Sequence, residues 1–110
     1  NASFHASKAR ILIENKQYKE ALVSAKKSLE LDKSLLAGYI FAADALRRAG
    51  HLKEALGYLD QALVVCPYAP STYRLRAQIY RAMGDDDAAA QDMALQSLCQ
   101  DEIRKQAEVN

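Results

Sequence analysis

The sequence contains no tryptophan, only two cysteines and two prolines, and just four glycines in 110 residues. Cys66 and Cys99 are too few and too far apart for a disulfide framework or a zinc site, so they read as reduced, partly buried thiols. Half the residues are hydrophobic and 26% are charged, a balance that excludes a disordered chain. No apolar run approaches the roughly 20 residues that a membrane-spanning helix needs. Glycine-rich phosphate loops are missing, and no serine has a histidine and an acid at suggestive positions. His5 and His51 lack a second ligand at metal-binding spacing. With no convergent polar groups in view, the expectation is a non-enzyme that needs no cofactor and no metal.

What the chain has instead is Ala, Leu, Glu, Lys, Arg and Gln, residues that lose little side-chain freedom in a helix. It also has a period. Tyr18-Lys19-Glu20-Ala21-Leu22 reappears 34 residues later as Leu52-Lys53-Glu54-Ala55-Leu56, and more weakly as Asp86-Asp87-Ala88-Ala89-Ala90. Ala9, Ala43 and Ala77 fall in step, as do Leu12, Leu46 and Tyr80, Tyr39 with Tyr73, and Gly50 with Gly84. Within the period, Leu36, Tyr39, Ala42, Ala43 and Leu46 follow the three-and-four spacing of one helix face, and Ala55, Leu56, Leu59, Ala62 and Leu63 follow another. Gly50 allows a tight turn between them, and small Ala43 and Ala55 let the two helices approach. Pro70 suits the first turn of a helix, where its missing N–H costs nothing. No glycine or proline follows Gly84, so a last helix is predicted from about Asp86 to about 107.

These residues resemble the tetratricopeptide repeat. Units fit at 2–35, 36–69 and 70–103, and 36–69 matches best through Tyr39, Ala43, Leu46, Gly50, Ala55, Leu59, Ala62 and Pro67. The first unit departs at His5, Lys8, Lys16 and Lys33, with Asn15 expected to take the left-handed turn conformation in place of a glycine. The third departs at Gln96 and Ser97. The resemblance implies an all-α, right-handed superhelical stack of three helix hairpins, with the long last helix as a cap. Such a hairpin cannot bury its apolar face alone, so each depends on its neighbour.

The net charge of +1 hides an asymmetry: residues 1–83 hold 13 basic and 7 acidic residues, residues 84–110 hold 2 and 7. Arginines gather on the first helix of each unit, which the resemblance makes the concave, ligand-facing helix. The candidate site is then an apolar floor of Ile13, Ile40, Phe41 and Leu75, rimmed by Arg10, Arg47, Arg48, Arg74 and Arg81, with Asp44 and Gln78 between them. A planar guanidinium pairs two-fold with a carboxylate, so the implied partner is an acidic protein or peptide segment with an apolar anchor. The competing reading pairs Arg10 with Asp44 and Arg47 or Arg48 with Glu14, leaving only a solvated surface. Arg76, in an apolar position, is expected to pack its stem and keep its head wet.

Some partners fall away. The family's clamp for heat-shock chaperone tails would map to Ala6, Arg10, Phe41, Ser71 and Leu75, of which only Arg10 grips a carboxylate. Nucleic acid is disfavoured by the near-zero net charge and by Tyr39, Tyr73 and Tyr80 standing at packing positions. Asp85-Asp86-Asp87 reads as a helix start rather than a metal site. The alternative to a ligand groove is self-association, or docking within a larger protein, through the irregular first and last helices.

Overall fold

The computed structural model describes residues 1–109 as six helices joined by short turns: α1 (Ala2–Glu14), α2 (Tyr18–Leu31), α3 (Leu36–Arg48), α4 (Leu52–Val65), α5 (Pro70–Ala82) and α6 (Asp86–Val109). Local chemistry sets their ends. The Asn1 side chain accepts the Phe4 N–H at 2.8 Å and starts α1. Pro70 occupies the first turn of α5. The Asp85 carboxylate accepts the Ala88 N–H at 3.1 Å, so the acidic run opens α6 as its residue types suggested.

All three hairpin turns close in the same way. Gln17, His51 and Asp85 donate their N–H groups to the carbonyls of Leu12, Leu46 and Tyr80, the six-to-one bond that requires one left-handed residue just before the donor. That residue is Gly50 (φ 89°), Gly84 (φ 83°) and, in the first turn, Lys16 (φ 62°). The expectation for Asn15 is thereby corrected: Asn15 stays at φ −87°. Hydrogen-bond register places the demand on Lys16, at about 1 kcal/mol for a side chain held in this region.

The helices pair as hairpins α1/α2, α3/α4 and α5/α6, and each hairpin leans on the next. First helices approach one another, α1 to α3 and α3 to α5. Among the described residues, second helices do not: α2 and α4 have no close backbone approach, nor do α4 and α6. A hollow of about 480 Å³ opens between α2 and α4, lined by Leu29, Tyr39 and Tyr58 among others. Elements that touch lie on the inside of a curve and elements that splay lie outside. The inner face therefore belongs to α1, α3 and α5, which is the superhelical stack expected.

The core runs through the junctions. Ala9, Ala25 and Ala42 pack together, as do Ile13, Ala21 and Ala45, between the first and second hairpins. Ala43, Leu46, Ala55, Leu59, Leu75 and Ile79 form the cluster between the second and third. Tyr39 and Tyr73 each donate a phenolic hydrogen bond to the carbonyl six residues earlier, Lys33 at 2.7 Å and Pro67 at 2.8 Å, pinning the connecting loops.

Arg76 does not keep a wet head. Its guanidinium grips Asp92 of α6 through two bonds of 2.9 and 2.8 Å, and Asp60 of α4 lies at 3.6 Å. The Tyr73 and Tyr80 rings flank it at 5.6 and 6.0 Å. Asp92 is 2% exposed, a carboxylate that must be paired once it leaves water. The bond to Asp92 raises the Arg76 pKa above its ordinary range, against the opposing effect of burial. Sequence position revealed the misfit at residue 76. The partner sixteen residues away was hidden because it faces Arg76 only after the hairpin closes.

Candidate partner-binding surfaces

The first helices carry the predicted arginines, and several of them are spent internally. Arg10 pairs with Glu14 at 3.1 Å on its own helix, not with Asp44. Asp44 takes both Arg47 (2.8 Å) and Arg48 (3.3 Å), and neither reaches Glu14. Cross-helix pairing is thus replaced by pairing one turn away, where helix geometry already brings the side chains together. Asp44 also raises the Arg48 pKa by its charge. On the third hairpin, Arg74 and Gln78 are exposed, and no acid pairs with Arg74 among the described residues. Arg81 donates only to the Met93 sulfur, at 3.1 Å.

The apolar floor is smaller than the sequence suggests. Ile13 and Leu75 are 5% and 7% exposed and belong to the core. Ile40 and Phe41 remain half-buried, packed on the core beneath and open above. What stays open of that floor is therefore Ile40 and Phe41. On α1, α3 and α5 the five candidate arginines stand against the two carboxylates Glu14 and Asp44, an excess of three positive charges.

A second surface lies at the α6 end. Two adjoining hollows of about 550 and 370 Å³ share Tyr68, Cys99 and Glu102 in their walls. Leu95, Leu98 and Ile103 of α6 complete the apolar lining, with Pro67 and Tyr73 behind Tyr68. Leu98, Ile103 and Tyr68 are 60%, 54% and 77% exposed. The last helix predicted from the sequence includes Leu95, Leu98, Cys99 and Ile103. Tyr68 was missed, because a loop residue carries no periodic signal.

Among the described residues, no group of three His, Cys, Asp or Glu side chains is arranged to hold a metal, and no helix is long and apolar enough to cross a membrane.

Comparison with known proteins agrees with this architecture. Profiles described as tetratricopeptide repeat match residues 2–35 and 36–79. Tetratricopeptide repeat protein 36 of Caenorhabditis briggsae is 35% identical over 71 residues, covering 59% of this chain and 40% of that protein. The chain thus spans about two fifths of the length of that relative. Among solved structures, the Yersinia enterocolitica type III secretion translocator chaperone SycD superposes with a TM-score of 0.87 at 14% identity, over 98% of this chain and 82% of that one. A crystal structure of MamA gives 0.86 at 12%, over 96% and 61%. The second tetratricopeptide domain of Spaghetti (RPAP3), bound to the HSP90 peptide SRMEEVD, gives 0.82 at 16%, over 89% and 91%. At such identities the likeness is one of fold.

Proposed function

This chain belongs to the tetratricopeptide repeat family, and from that premise we propose that it is a protein-binding scaffold whose inner face takes an acidic segment bearing an apolar anchor. The observation that carries the reading is the excess of arginine over carboxylate on a face built from three touching helices. Arg74 and Arg81 lead the contact, since neither is committed to an acid. Arg47 and Arg48 share one carboxylate and keep donors to spare. Ile40 and Phe41 supply the socket for the anchor. Arg10, Asp44 and Gln78 set the rim, while Ile13 and Leu75 support it from below.

The ligand is expected to differ from the HSP90 peptide held by the solved relative. Where the resemblance puts that clamp, Ala6 and Leu75 are buried and Arg10 is already paired with Glu14. Of the five mapped positions only Arg10 and Ser71 carry side-chain donors, and Arg10 is shared with Glu14.

The test uses an array of short synthetic peptides, acidic and neutral, with and without one leucine or phenylalanine. The chain should retain acidic peptides that carry the anchor. The double variant Arg74→Glu and Arg81→Glu should bind them at least about tenfold more weakly, as expected when steering and pairing charges are reversed. Equal retention by both proteins, or no preference for acidic anchored peptides, would refute the proposal.

A further inference from the structure

The two outer hollows stand at equivalent places, one repeat apart. Tyr39 walls the hollow between α2 and α4, and Tyr73 walls the one beside α6. Each tyrosine donates its hydroxyl to the loop carbonyl six residues before it. From one hollow to the other the residue types change position by position. Lys26 gives way to Asp60, Lys33 to Pro67, Ser34 to Tyr68 and Gln61 to Leu95. The first junction closes around a wall that holds Lys26, Glu30, Lys33 and Gln61. Apolar residues are therefore not what the fold demands at these places.

Beside α6 the same place is apolar and open. Leu95, Cys99 and Ile103 recur every four residues along the helix, with Leu98 beside them, so one stripe of α6 faces the hollow. This helix is ten residues longer than α4, which carries the stripe past the point where the second hairpin ends. More than half of each of Tyr68, Leu98 and Ile103 stays in solvent, although they bound adjoining hollows. Contiguous apolar surface of this kind marks a docking site.

The charges say what fits there. Glu102 stands in both walls, and no lysine or arginine lines either hollow. On the α4 side Asp60 is 71% exposed and lies 3.6 Å from Arg76, whose charge Asp92 already balances. Lys105 reaches Glu102 only at 3.6 Å, between two exposed side chains, a pairing that water and salt largely cancel. The first hollow, with two lysines against Glu30, has the opposite sign.

We propose that the hollow beside α6 docks an amphipathic helix of a partner protein, apolar along one face and flanked by lysine or arginine. The apolar face would lie along the α6 stripe and against Tyr68, in the manner of a helix laid in a groove. Its basic flank meets Glu102, with Asp60 adding attraction from α4. This surface is separate from the arginines of the first helices and asks for the opposite charge, so its test stands apart from that reading.

The test offers the chain a panel of synthetic helical peptides. One set is basic with leucines on one face, a second has the same residues shuffled so that the leucines spread around the helix, and a third has glutamate for every lysine. The one-faced basic peptides should bind at least about tenfold more tightly than either control, and salt should weaken them. In NMR spectra they should move the amide signals of Tyr68 and of α6 from Leu95 to Gln106, leaving those of Arg74 and Arg81 in place. Leu98→Gln with Ile103→Gln, both at exposed positions, should cut the affinity at least about tenfold with helical circular dichroism unchanged. Glu102→Lys should weaken binding and flatten its salt dependence, whereas Arg74→Glu with Arg81→Glu should lose nothing. The proposal is overturned if no peptide binds, if a control binds equally well, or if binding survives Leu98→Gln with Ile103→Gln. A chain that dimerises through this stripe, and stops doing so in that variant, also overturns it, since the occupant is then a second copy.

Discussion

The two junctions of this molecule solve one packing problem in opposite ways. At the first, α3 lies close along α2 and α1, and the contact is made of small residues: Ala9, Ala25, Ala42, Ala45 and Gly38. At the second, α5 keeps farther from α4 and α3, and the space is filled by Leu59, Leu75 and Ile79. Ile79 stands where Ala45 stands one repeat earlier, and Thr72 where Gly38 stands. A Cβ at Gly38 would come within 2.6 Å of Leu29 and 2.7 Å of the Ser28 hydroxyl, so a threonine at the corresponding place forces the helices apart. Close backbone approach and bulky filling are alternatives, and the choice between them is made by a few side chains.

The comparison can be broken at several points. Asp92→Ala should have the largest effect, a loss of about 3 kcal/mol, because it strands the Arg76 charge at the third hairpin. Replacing both residues by leucine should recover most of that loss in urea denaturation. Ile79→Ala should cost about 2–4 kcal/mol by opening a cavity in the wide junction. The measurement is the denaturant midpoint, with hydrogen exchange rising in α5 and α6 before α1 and α2. Gly38→Ala should cost about 1–3 kcal/mol by overpacking the close junction. Gly57→Ala is the control: Gly57 is exposed on α4 with open space around its Cα, so it should gain up to about 1 kcal/mol from helix propensity.

Thr72→Val sharpens the contrast from the other side. The Thr72 hydroxyl is fully buried and finds no hydrogen-bond partner among the described residues. Replacing it by a methyl of similar size should stabilise the chain by about 1 kcal/mol, read as a higher thermal midpoint. The smallest effect lies in the loops. Asp32 accepts from the Ser34 N–H at 2.9 Å and from its hydroxyl at 2.6 Å, and these bonds hold its carboxyl below the ordinary aspartate value of 3.8. A lowered carboxylate adds stability above the ordinary value and loses it as pH falls through the lower folded one. Titration by NMR should find Asp32 below 3.8, and Ser34→Ala should move it back up. The second junction has Cys66 at this place and should show no such acid response.

The hairpins were readable because a 34-residue period, Gly50, Gly84 and Pro70 each act within a few residues of where they stand. The left-handed residue of the first turn was not, since hydrogen-bond register rather than residue preference chose Lys16 over Asn15. The candidate groove was half legible. Spacing put Arg10, Arg47, Arg48, Arg74 and Arg81 on first helices. It could not show that Ile13 and Leu75 turn into the core, or that Arg10, Arg47 and Arg48 find acids on their own helices.

By itself the sequence determined the number of helices, the turns between them and the sorting of arginine onto one class of helix, all consequences of local periodicity. Only the tertiary structure decided how closely the hairpins sit, which arginines stay unpaired and that Asp92 answers Arg76. Those outcomes depend on which side chains meet across a junction, and the meeting distance there is set by the volume of residues 34 positions apart, such as Gly38 and Thr72.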